Sequence, residues 1–202
     1  MARAGLDTRT LVLAAAELAD EQGIEAVTLA ALAAKLGVRS PSLYNHINGL
    51  AGLRTLMAVY GLEQLYGTIS QATEGLSGEA ALHAMSQAYL GFTRAHPGLY
   101  QTTLKAPEQG DTALEAASVK ILSLIIRMIS VFGLDEEGNL HAVRGLRSIL
   151  HGLSTLEQQG GFGMPLDLNV TLTRVINAYI AGIRCMGSDS YDKLNEMDEP
   201  KR

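Results

Sequence analysis

The sequence predicts an all-α protein, with a three-helix helix-turn-helix domain at the N-terminus followed by a bundle of longer helices. Three observations carry this. Apolar residues recur at helical spacing along most of the chain, and little of it alternates apolar with polar as a half-buried strand does. Gly and Pro punctuate the ends of the periodic runs, at Gly23, Gly37, His96–Pro97, Gly133 and Gly160–Gly161. Lastly, residues 28–47, TLAALAAKLGVRSPSLYNHI, read as two short helices about a tight turn.

The first helix is expected from Asp7 or Thr8, with Leu11, Ala14, Ala15 and Leu18 on one face and Gly23 ending it. Residues 1–6 form a short arm carrying Arg3. The next helix has Thr28 at its N-cap and Leu29, Leu32, Ala33 and Leu36 at i, i+3, i+4 and i+7. Val27 and Leu32 occupy the positions of a hydrophobic staple, and Gly37 suits the left-handed turn that closes a helix. A further helix then starts with Ser40 as N-cap and Pro41 at N1, where a missing N–H costs nothing. Its Leu43 and Ile47 dock inward. Ser42, Asn45 and His46 are left facing outward, with Tyr44 beside them.

A helix–Gly–helix corner is common in all-α proteins and does not by itself bind anything. Two details favour a nucleic-acid reader. Between Ala26 and Leu62 the formal charges are Lys35, Arg39 and Arg54, all positive. The outward face also carries hydrogen-bonding groups in place of the Glu/Lys mixture of an idle solvated surface.

The segment LAAKLGVRSPSLYNHI, preceded by LVLAAAELADEQG and the linker IEAVT, resembles the DNA-binding domain of the TetR family of transcriptional regulators. The Leu43-Tyr44-Asn45-His46 core is its most specific part. The resemblance implies that Ser40, Pro41, Ser42, Tyr44, Asn45 and His46 face DNA and that Thr28 contacts a phosphate. Arg39 is expected to add a second phosphate contact. Many members carry a basic residue at the start of the fourth helix, where this chain has Asn48, Gly49, Leu50 and Ala51; Arg54 is a shifted substitute.

Composition agrees with a site-specific reader. The net charge is −5, which argues against indiscriminate coating of nucleic acid. Through Thr55 the charges balance, five against five, so the acidic excess lies in the rest of the chain. Cys185 is the single cysteine, which excludes an intrachain disulfide and a cysteine zinc cluster; its neighbours Ile183 and Met186 suggest a packed thiol. Residues 11–19 are too short for a membrane span, and residues 119–134 are interrupted by Lys120 and Arg127. No membrane partner and a cytoplasmic location are expected. The five histidines form no HExxH, and the sequence has neither a GxSxG elbow nor a Walker A loop. GGFG at 160–163 follows a helix and reads as a cap and turn. No metal, no cofactor and no catalytic residue are expected, so the chain does not read as an enzyme.

The body begins with a helix over 49–72, and Ser77 caps the next, which His96–Pro97 stops. After a short helix and the loop 105–112, residues 113–132 are apolar nearly all round, as in a helix buried centrally. Asp135 caps a helix running to Gln159, and a last helix starts near Leu168. The expected domains are 1–48 for DNA binding and 49–186 for effector binding and dimerisation, with 187–202 as a disordered tail.

A single helix-turn-helix reads too few base pairs for specificity, so a homodimer on double-stranded operator DNA is expected. The last two helices, with small residues spaced for close approach, either complete a monomer core or form half of a four-helix dimer interface. The resemblance places dimerisation on them, and the expected interface is Val143, Leu146, Leu150, Leu153, Val175, Ile176, Tyr179 and Ile183. AHPGLY and RSILHGLSTLEQQGGFG further resemble one C-terminal subgroup of the family. The resemblance implies a sensor body, most naturally that of a repressor released by a small molecule. A pocket lined by Met57, Tyr60, Met85, Tyr89, Phe92, Tyr100, Met128 and Phe132 would take an apolar or aromatic effector. The same stripes suit plain core packing. A helical protein–protein adaptor using the helix-turn-helix face, and a small-molecule carrier or all-α enzyme with a vestigial head, are the readings left open beside it.

Overall fold

The structure, a computed structural model, describes residues 6–108 and 110–187. The arm residue Arg3 and the expected tail beyond Gly187 lie outside the described residues. Among the described residues every regular element is helical. The order is α1 (Thr8–Gln22), α2 (Leu29–Leu36), α3 (Gly49–Ala72), α4 (Gly78–Ala95), α5 (Pro97–Thr102), α6 (Thr112–Ile129), α7 (Glu136–Gln158) and α8 (Leu168–Gly187). Three 3-10 helices, Ile24–Ala26, Ser40–Asn45 and Ser130–Phe132, fill connections.

Local signals set most of these boundaries. Asp7 caps α1 by accepting the Thr10 N–H at 2.7 Å, and Thr28 caps α2 by accepting from Ala31 at 3.1 Å. Gly37 ends α2 in the left-handed conformation, φ 64°, which a side chain would oppose. Asp135 caps α7 through the Gly138 N–H at 2.7 Å. Pro97 stops α4 and opens α5.

The chain divides into two compact units. The first comprises the residues through Gly67 together with Phe92–Lys120. At its centre Leu11, Ala15 and Leu18 of α1 meet Leu32 of α2, Leu43, Ile47, and Leu53 and Met57 of α3, all buried. The head core therefore continues past residue 48 into the first turns of α3. Tyr60 packs against the same cluster.

The second unit comprises Thr68–Gly91 and the residues from Ile121 on. It buries Leu82 and Met85 of α4, Leu146 and Leu150 of α7, and Ile176 and Ile180 of α8. Polar ties reinforce it. His83 Nε2 meets Asn177 Oδ1 at 2.8 Å, Arg184 pairs with Glu79, and the Tyr179 hydroxyl donates to the Ala142 carbonyl at 2.8 Å.

Two expectations change. Residues 113–132 are not a centrally buried helix: only Leu114, Leu124, Met128 and Ile129 are buried, and Val119 is 54% exposed. Apolar composition all round does not bury a helix whose neighbours in the protomer cover one side. Cys185 is exposed, not packed. It lies two residues from inward-facing Ile183, about 200° round the helix at about 100° per residue.

Candidate nucleic-acid interface

The expected reading helix is a six-residue 3-10 helix, Ser40–Asn45, with Arg39 at its N-cap and no side-chain cap. Pro41 lacks an N–H, and the bonds that form are of the tighter type, Ser42 N–H to Arg39 and His46 N–H to Leu43, both 2.9 Å. At three residues per turn, Ser40, Leu43 and His46 share one face. Leu43 is fully buried on that face, and Ser40 and His46 are half-buried. Pro41, Tyr44 and Asn45 are the exposed members, Tyr44 by 60%. Ser42 is half-buried. Ile47, buried, closes the far end through an N–H bond to the Leu43 carbonyl.

Both ends of this segment are held. The Thr8 hydroxyl at the start of α1 donates to the His46 carbonyl at 3.3 Å. The Val38 N–H bonds to the Ala33 carbonyl at 3.0 Å across the turn. The side chains of Tyr44, Asn45 and His46, with Thr8, Asn48 and Asp111, line a concavity of about 510 Å³.

Charges on the head are partly spoken for. Lys35 lies 3.3 Å from Glu17 and 3.5 Å from Glu21, so it ties α2 to α1. Arg54 lies 3.8 Å from Glu25, with both side chains well exposed. Asp7, receiving the Thr10 N–H, has its carboxyl held below the ordinary value; the neighbouring charges of Arg9 and His46 act the same way. Thr28 and Arg39 are exposed. The Thr28 oxygen accepts the Ala31 N–H, which leaves its own O–H to donate.

The other expected residues fall as follows. Met57, Met85, Tyr89, Phe92, Tyr100 and Met128 are buried, while Tyr60 and Phe132 are half-buried. Met57 belongs to the head core. A concavity of about 820 Å³ in the first unit is lined by other residues, among them Leu50, Arg54, Gln101, Lys105 and Leu114. Of the expected interface residues, Leu146, Leu150 and Ile176 have no exposed surface in the single chain, and Val143 and Ile183 almost none. Leu153, Val175 and Tyr179 are half-buried. Among the described residues no group of His, Cys, Asp and Glu could hold a metal ion, and no single helix is long and apolar enough to cross a membrane.

Sequence reading missed Thr8, Asp20 and His96, which join segments far apart in the chain: Asp20 accepts from His96 and Leu99. Nothing local marks them.

Comparison with known proteins bears on the same residues. Residues 11–47 match the family described as bacterial regulatory proteins, tetR family. Residues 82–179 match the tetracyclin repressor-like C-terminal domain. The HTH-type transcriptional regulator YobS of Bacillus subtilis is 37% identical over 182 residues, covering 90% of this chain and 94% of its own. The chain belongs to the TetR family of transcriptional regulators. The repressor DrrR1 of Streptomyces coeruleorubidus is 32% identical over 117 residues, 57% of this chain and 42% of that one. A TetR variant from Acinetobacter baumannii, crystallised with minocycline, superposes with a TM-score of 0.70 at 21% identity, covering 92% of this chain and all of that one. In this TetR-family regulator the segment that matches the N-terminal family model contains α2, the turn and the 3-10 helix.

Proposed function

We propose that this regulator works as a homodimer, reading operator DNA with the 3-10 segment of each protomer and acting as a repressor released by a small apolar or aromatic effector. The observation that carries the reading is Tyr44, 60% exposed beside fully buried Leu43. An aromatic side chain is held out on a backbone anchored beneath it, next to Pro41 and Asn45. Ser40, Pro41, Ser42, Tyr44, Asn45 and His46 are assigned to the major groove; Thr28, Arg39 and Arg54 are assigned to phosphates. Residues 1–48, joined by Arg54 of α3, carry the contacts to DNA, and residues 49–186 serve effector binding and dimerisation.

Dimerisation follows from the short reach of the reader, since two half-sites about one turn apart supply the missing specificity. On α7 and α8 the protomer has already buried Leu146, Leu150 and Ile176. The interface therefore draws on Leu153, Val175 and Tyr179 and on exposed neighbours such as Leu156 and Val170. Release by a small molecule with an aromatic ring is supported by the buried Met85, Tyr89, Phe92, Tyr100 and Met128 and by the minocycline in the similar Acinetobacter baumannii structure.

The test is selection of duplexes from a random pool, followed by titration at two salt concentrations. Saturable binding that outcompetes random DNA and falls steeply with salt is expected. Tyr44→Ala and His46→Ala, still folded and dimeric, should lose most of it. Wild-type affinity in both variants would refute the assignment.

A further inference from the structure

α5 is a helix of six residues whose own N-cap, His96, makes no side-chain capping bond. The cap comes from elsewhere. The Leu99 N–H in its first turn donates to Asp20 Oδ1 at 2.8 Å, and Asp20 lies 79 positions earlier, near the end of α1. The second oxygen of the same carboxylate accepts from His96 Nδ1 at 2.9 Å. The Asp20 side chain is 18% exposed, so its bond to the Leu99 N–H is partly sheltered from water, while His96, 47% exposed, meets it from the solvent side. Beside them Gly98 lies against Ala19, and a Cβ there would overlap the Ala19 carbonyl oxygen. On α3, a Cβ at Gly61 would come within 2.8 Å of Thr103 and 3.4 Å of Leu99. α5 is thus seated on both α1 and α3 by close backbone approach, and on α1 by one carboxylate.

α1 is 15 residues long, a rod of about 22 Å at about 1.5 Å per residue. Asp20 holds α5 near one end. Thr8, at the other end, holds the His46 carbonyl at the close of the reading segment. α4 ends at Ala95 and α5 begins at Pro97, so the single residue His96, one of the two groups that Asp20 holds, joins them. We propose that Asp20 is a positioning residue for DNA binding. Its carboxylate clamps α5 to α1, and α1 passes the position of α5 to the reading segment. The proposal rests on the DNA-binding reading given above.

The experiment compares wild type with Asp20→Ala, which removes both acceptors, and His96→Ala, which removes one exposed partner. Ile180→Val in α8 serves as a destabilised control. Each is titrated on the duplex selected with wild type, at a temperature where circular dichroism shows it fully helical, and amide hydrogen exchange is followed at Leu99 and at His46–Asn48. Asp20→Ala should lose about tenfold in affinity, as couplings of this kind do, and His96→Ala less. Exchange should rise at both ends of α1, while the control keeps wild-type affinity and wild-type exchange at both sites. A purely structural cap would loosen Leu99 alone. Asp20→Ala with wild-type affinity, or with exchange confined to α5, overturns the proposal. Should Asp20→Ala not fold, His96→Ala is judged by the same two criteria. A wild type that selects no duplex shows itself before any variant is made and removes the DNA reading along with the clamp's role in it; the exchange data still report the clamp separately.

Discussion

The Thr8 hydroxyl and the His46 carbonyl, 38 positions apart, are joined by a hydrogen bond of 3.3 Å. It ties the first turn of α1 to the end of the segment proposed to face DNA, whose Leu43 and Ile47 are buried in the head core. A six-residue 3-10 helix cannot hold itself in water, so its placement is set by such tertiary ties. Thr8→Val keeps the shape and removes the donor, leaving a part-buried carbonyl with one partner fewer. Unfolding in urea should show a loss of about 1 kcal/mol. The wild-type operator duplex should bind more weakly at fixed salt.

Gly98 and Gly91 make a matched pair of opposite sign. At Gly98 an added Cβ meets backbone, the Ala19 carbonyl, which has no rotamer with which to yield. Gly98→Ala should cost about 1–3 kcal/mol, the range of overpacking in a core, and thermal unfolding measures it. Gly91 lies inside α4 and is exposed, and a Cβ added there would meet nothing within 4 Å. Gly91→Ala should raise stability by up to about 1 kcal/mol, because alanine loses less conformational freedom in a helix. Equal effects at the two sites would contradict the close approach of α5 to α1.

What the sequence made legible was what is local. Thr28, Gly37 and Asp135 act within three or four residues of themselves, and each sits where its chemistry suggests. The 3-10 geometry of Ser40–Asn45 was less visible: Pro41 signals a helix start but not which hydrogen-bond register follows. Periodicity showed that residues 113–132 are apolar without showing how many neighbours surround them, and so it overstated their burial. Met57 fits the stripe of α3 as a pocket wall as well as it fits the head core, because a helical wheel does not reveal which partner covers a face. The clamp of Asp20 on His96 and Leu99 lay furthest from view. It pairs positions 76 and 79 apart, with no motif at either.

Arg54 is proposed to contact a phosphate, and Glu25 competes for it at 3.8 Å. Both side chains are well exposed, 43% and 90%, so the pair itself contributes little to stability. Its effect should appear in DNA binding. Glu25→Gln should strengthen operator binding a few-fold at low salt. Arg54→Ala should weaken it and make the slope of log affinity against log salt shallower by about 0.9, the share of one phosphate contact. An unchanged slope would show that Arg54 does not reach a phosphate.

At alkaline pH the second unit should respond through Tyr179. Burial pushes its phenol up to about 12, since desolvation penalises the phenolate, and the neutral hydroxyl donates to the Ala142 carbonyl at 2.8 Å. The unfolded chain ionises near 10, so folding favours the protonated form. The stability that this preference contributes is fully present below pH 10 and is lost as pH rises through the folded value. Tyr179→Phe cannot ionise. Its melting temperature at pH 7 should lie below that of wild type, reflecting the missing bond, and the gap should close between pH 10 and 12 as wild type loses its advantage. Melting curves of both proteins from pH 7 to 11.5 measure this directly. A gap that stays constant across the range would mean that the hydroxyl is not held neutral by the fold, and that the α7–α8 tie through Ala142 is not made in solution.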